Sequence, residues 1–177
     1  AGTPMMGGLM FIGAVIVCLL CNIPFMTDFS AFFVLGMSLC FGAVGFADDF
    51  CKMKYKRNLG LTSLQKMLLQ MAVSALFLYL LWKTGGMSAA LYIPFVNVTV
   101  NVHPLVYIFF AMFVIVGCVN AVNLTDGLDG LSTSVTIPVM VFFTLSAVAM
   151  GKMDLALLPG SLVGGLAAFL IYNWKPA

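Results

Sequence analysis

The chain contains no glutamate and one histidine, and only 8% of its 177 residues are charged. Soluble domains carry about three times that density of charge. Scarcity on this scale excludes a water-exposed globular surface. The single His103 has no second histidine to share a metal, and at the boundary of an apolar run it reads as an interfacial hydrogen-bonding residue. The five cysteines lie in or beside apolar runs, and the CxxC of Cys18 and Cys21 has no second pair and no nearby histidine. They are expected to be small apolar residues rather than zinc or redox ligands.

What fills the chain is hydrocarbon. Hydrophobic residues make up 63%, and the mean hydropathy is +1.13. A spanning helix takes about 20 apolar residues. Six such runs can be read: Gly7 to Phe25, Phe29 to Ala47, Met67 to Trp82, Pro104 to Val119, Thr133 to Met150 and Leu155 to Tyr172. The expected fold is an all-α polytopic membrane protein with about six visible transmembrane helices. It is expected to form one integral membrane domain, residues 1–177, incomplete at both ends and belonging to a larger helical bundle. Lys52, Lys54, Lys56, Arg57 and Lys66 share the second loop and Lys175 follows the last run, whereas only Lys83 and Lys152 fall on the other side. That bias puts the second loop in the cytoplasm.

Alternation then places GTPMMGG, the loop opened by ADDF, NAVNLTDGLDGL and NWKPA on one face of the membrane. On the far side, VNVTVNV (96–102) alternates strictly, with Val96, Val98, Val100 and Val102 opposite Asn97, Thr99 and Asn101. Such a period of two predicts a short β-hairpin, with LYIPF supplying its first arm, on the outer membrane surface.

Chemistry is concentrated in two stretches. In NAVNLTDGLDGL, Asn120, Asn123, Asp126 and Asp129 recur every three residues, so neighbouring members lie on adjoining parts of a helical face. One Asn or Asp would cap the helix end. Four beside Thr125 exceed that need, and ionisable groups at membrane depth are functional candidates. Gly127 and Gly130 lower the steric cost where the backbone turns. In GFADDFCKMKYKR, Asp48 and Asp49 are adjacent and point about 100° apart on a helix, which predicts different jobs for them. Lys52 can pair with either as an ordinary i, i+3 or i, i+4 partner. Carboxylates grouped with lysines on one membrane face suit a divalent cation and a phosphorylated substrate. GTPMMGG adds hydroxyl and backbone donors but lacks the GxxxxGK[ST] pattern of a P-loop.

In order and interval, GTPMMGG, FADDFCK, NLGLTSLQK and NAVNLTDGLDGL resemble the bacterial phospho-N-acetylmuramoyl-pentapeptide transferases, within the polyprenyl-phosphate sugar-1-phosphate transferases. The resemblance covers essentially the whole chain. It implies a magnesium-dependent enzyme of the bacterial plasma membrane that transfers phospho-N-acetylmuramoyl-pentapeptide from UDP to undecaprenyl phosphate, giving lipid I and UMP. Its partners would be UDP-N-acetylmuramoyl-pentapeptide, undecaprenyl phosphate and membrane lipid, without nucleic acid, and a homodimer is allowed for. By resemblance, Asp48 and Asp49 are catalytic, Asp49 is a Mg2+ ligand, and Lys52, Asn123, Asp126 and Asp129 bind substrate. The family usually has Thr where this chain has Met5. Past the match to NWKPA it has an Asp-containing MGDTGS loop and a histidine-rich loop, so a further metal ligand is expected outside these residues. The alternatives are a sibling transferase acting on UDP-N-acetylhexosamine, a cation-coupled transporter and a noncatalytic scaffold. The absence of any mid-span carboxylate argues against the transporter.

Overall fold

A computed structural model describes residues 8–55, 60–127 and 130–173, without the side chains of residues 55, 172 and 173. Six helices occur among them: α1 (Gly8–Asn22), α2 (Ser30–Tyr55), α3 (Ser63–Lys83), α4 (Pro104–Thr125), α5 (Leu131–Ala149) and α6 (Met153–Asn173). Each contributes a stretch long and apolar enough to cross a membrane, that of α1 running on to Phe25, and the chain is a multi-pass membrane protein. Two antiparallel strands, β1 (Ala90–Ile93) and β2 (Val98–Asn101), lie between α3 and α4.

Several boundaries differ from the sequence expectation, each for a local reason. No Gly or Pro follows Gly45 before Tyr55, and Asp48 and Asp49 both pair with Lys52 within the helix. Helix α2 therefore continues through ADDF, which is helical rather than the opening of a loop. Helix α3 starts at Ser63 instead of Met67, because Thr62 and Gln65 form a reciprocal capping box that satisfies two otherwise unpaired amides. After α1, Pro24 sits in a short 3₁₀ turn, Ile23–Phe25. On the far side, Val96 and Asn97 belong to the hairpin turn rather than to the strand. Asn97 takes a φ of 54° there, a left-handed conformation that Asn tolerates.

Polar side chains inside apolar helices must find partners where no water is at hand. Here many bond to their own helix. Ser38 donates to the Val34 carbonyl, Ser74 to Gln70, Thr136 to Ser132 and Thr144 to Met140, at 2.7–2.9 Å.

The chain divides into two compact units. In residues 1–39 and 122–177, α6 packs against both α1 and α5. Val15, Leu19, Ala31 and Leu35 form a buried cluster, flanked by Leu157, Leu158 and Leu162 of α6. At Gly165 the two helices approach closely: a Cβ there would lie 3.0 Å from the Phe11 Cβ. Small residues permit this approach in membranes. Asp154, in the first turn of α6, accepts hydrogen bonds from the Thr27 amide and hydroxyl and from the Asp28 amide, at 2.7–3.0 Å. It thereby fastens the α1–α2 connection.

The other unit, residues 40–121, holds the rest of α2, α3, the hairpin and most of α4. Along α3, Gln70, Ser74 and Leu78 are buried at four-residue intervals. Helix α4 has no buried residue, yet Asn120 on it donates to the Gln70 side-chain oxygen at 2.7 Å and to its own Val116 carbonyl at 2.8 Å.

Candidate active site

Within residues 40–121, the continuous α2 helix presents Asp48 and Asp49 on one turn and Lys52 on the next. The Lys52 ammonium lies 2.9 Å from Asp48 Oδ2 and 3.0 Å from Asp49 Oδ1. One lysine thus bridges both carboxylates. A second, Lys66 in the first turn of α3, stands 3.6 Å from Asp48 Oδ2. The remaining Asp48 oxygen, Oδ1, accepts the Leu61 backbone N–H at 2.7 Å. A main-chain donor and two cations therefore compensate the buried Asp48 charge, as a desolvated carboxylate requires.

Gly60 is what allows the chain to reach this carboxylate. A Cβ at that position would overlap Asp48 Oδ1 and lie 2.7 Å from the Asp48 carbonyl oxygen. The two aspartates consequently differ as their 100° separation predicts. The Asp48 side chain is only 9% exposed and has both oxygens engaged, whereas that of Asp49 is 45% exposed. Of the two, Asp49 is the carboxylate open to an incoming group.

In the other unit, Asn123 lies in the last turn of α4 and Asp126 in the turn just beyond it, with the Asp126 N–H still bonded to the Val122 carbonyl at 3.2 Å. Both side chains reach the surface. Nearby protein removes part of the water around Asp126 and raises its carboxyl above the ordinary value. Gly130 has a φ of 74° at the start of α5, the left-handed conformation that its place in the motif foreshadows. Asp129 and Met5 lie outside the described residues. Asn120, the first member of the polar series, is turned to Gln70 and serves packing within its own unit.

Among the described residues, no three His, Cys, Asp or Glu side chains are grouped to hold a metal. Magnesium does not require such a cage: it keeps several waters and uses one or two carboxylates together with substrate phosphates. Asp49 fits that mode, whereas Asp48, with both oxygens taken, fits it poorly.

Lys66, Leu61 and Gly60 are the site residues to which residue-by-residue reading gave no role of their own. All three lie in the NLGLTSLQK stretch, and Lys66 also counted toward the charge bias; it is the one cation of that group that starts a span. Gln70 and Ser74 continue its four-residue spacing through an apolar run, which is a readable polar stripe.

Residues 31–177 match the model of glycosyl transferase family 4, and the chain belongs to that family. Over its length it is similar to proteins named phospho-N-acetylmuramoyl-pentapeptide-transferase. It is 45% identical to that of Clostridium perfringens (strain 13 / Type A) over 177 residues, covering 100% of this chain and 55% of the relative. The corresponding identity is 41% for Clostridioides difficile (strain 630), covering 99% and 54%. For Listeria monocytogenes serotype 4b (strain CLIP80459) it is 42%, covering 100% and 55%. The chain thus spans about half the length of the curated relatives it matches.

Proposed function

We propose that this chain is part of a bacterial plasma-membrane enzyme that transfers phospho-N-acetylmuramoyl-pentapeptide from its UDP carrier to undecaprenyl phosphate, giving lipid I and UMP in peptidoglycan synthesis. The names of its relatives support the substrate class. The observation that carries the chemistry is the bridge of Lys52 between Asp48 and Asp49, with Lys66 behind it.

The reaction must bring two phosphorylated, anionic molecules together. An oxygen of the lipid phosphate attacks the sugar-linked phosphorus, the bond to the UMP oxygen breaks, and UMP leaves with the bonding electrons. Lys52 and Lys66 act as mobile point charges that hold the phosphates. As they turn toward substrate, Asp48 Oδ2 is released next to the reacting oxygen and accepts any proton it carries. Asp49 would hold Mg2+, which when bound offsets charge on the diphosphate. Asn123, Asp126 and Asp129 bind the nucleotide sugar, and the site faces the cytoplasm.

The test is lipid I formation against magnesium concentration in the intact polypeptide, with folding checked by nucleotide binding. Asp48→Asn is expected to lose at least about a hundredfold in turnover while still binding the UDP substrate. Asp49→Asn is expected to shift the magnesium dependence. Near-normal turnover by folded Asp48→Asn would sink the catalytic role.

A further inference from the structure

The twenty residues between α3 and α4, 84–103, contain no Asp, Glu, Lys or Arg. Their hairpin register places Leu91 opposite Val100 and Ile93 opposite Val98 on one face, and Ala90 opposite Asn101 and Tyr92 opposite Thr99 on the other, because directly paired residues share a face. The ribbon is therefore two-sided, aliphatic on one side and mixed polar on the other. Ile93, Val98 and Val100 on the aliphatic side remain 40–45% exposed, and Phe95 in the turn is 99% exposed. The turn itself is closed by the Val96 amide on the Ile93 carbonyl and by the Tyr92 hydroxyl on the Asn97 side chain at 2.6 Å. Phe95 thus projects from an internally bonded turn.

The connection to the membrane helix is short. Only Val102 and His103 separate β2 from α4; the Val102 amide continues the ladder to Ala89, and His103 Nδ1 accepts the Leu105 amide. At the other end, Tyr79, Trp82 and Lys83 close α3, with the Lys83 ammonium 5.8 Å from the Tyr79 ring centroid. Aromatic and basic residues of this kind mark the level of the lipid headgroups.

We propose that the hairpin lies flat in the lipid interface on its side of the membrane, with Leu91, Ile93, Val98 and Val100 facing the acyl chains and Phe95 inserted among them. Lipid is the occupant this surface fits. Two four-residue strands and one aromatic tip are far smaller than the roughly 800 Å² per partner of a stable protein interface. An interfacial element gains from each buried apolar side chain and needs no matching surface, and a charge-free segment carries no desolvation penalty for ions.

The experiment uses the intact polypeptide in lipid nanodiscs, in a cysteine-free background, with spin labels at Phe95→Cys and Val98→Cys and, on the opposite face, Thr99→Cys. Labels at 95 and 98 are expected to collide more with oxygen, which partitions into lipid, than with a water-soluble nickel chelate, and the label at 99 to show the reverse. Chelate-dominated collision at all three would mean that the hairpin stands in water. Low collision with both reagents at 95 and 98 would mean that a second copy or another protein covers it. Either result overturns the proposal. The readout involves no catalysis, so it stands apart from the proposed reaction.

Discussion

Gly60 carries more of the candidate site than its lack of a side chain suggests. Its backbone closes on Asp48 so tightly that any Cβ meets the carboxylate and the Asp48 carbonyl together, and the next residue supplies the amide that Asp48 Oδ1 accepts. Gly60→Ala is expected to push the loop off α2, at a cost of about 1–3 kcal/mol as for other overpacked positions. Thermal unfolding in lipid nanodiscs measures this, and an unchanged midpoint would show that the loop does not hold Asp48. The adjacent carboxylates were legible in the sequence, as was their unequal orientation, since helical geometry alone separates neighbours by about 100°. The partners of Asp48 beyond α2, Leu61 on the α2–α3 loop and Lys66 in the first turn of α3, were not, because they come from 13 and 18 residues away.

At the scale of elements, α3 and α4 are joined by an amide pair. Helix α4 buries none of its residues, and its described hydrogen bond to α3 joins Asn120 to Gln70. Hydrogen bonds between membrane helices contribute about 0.6 kcal/mol on average and up to about 1.7. A double-mutant cycle with Gln70→Leu and Asn120→Leu is expected to give a coupling in that range, measured by unfolding in bicelles; zero coupling would reduce the pair to separate back-bonded polar groups. The spans themselves were readable, because hydrocarbon thickness dictates their length. Their ends were not always so: α2 outruns its apolar stretch because Lys52 stabilises two acidic residues on the same helix, and α3 begins early because Thr62 and Gln65 cap it. The hairpin was legible from its alternation, but not the turn that removes Val96 and Asn97 from the strand.

For the whole molecule, the connectivity of six spanning helices assigns the α2–α3 loop and the hairpin to opposite faces. An impermeant thiol reagent is expected to label Lys56→Cys only from the cytoplasm and Asn101→Cys only from outside, in a cysteine-free background; labelling of both from one side would break the proposed orientation. The amide pair also bears on how such a chain enters the bilayer. Helix α3 is made before α4 and carries Gln70 and Ser74 on the face that becomes buried. Ser74 can bond to its own helix, but the Gln70 side-chain oxygen has its described partner fifty residues later, on a helix not yet synthesised. Until Asn120 is made, α3 by itself cannot form the side-chain bond that Gln70 has in the folded chain, so this bond closes only once both helices are present.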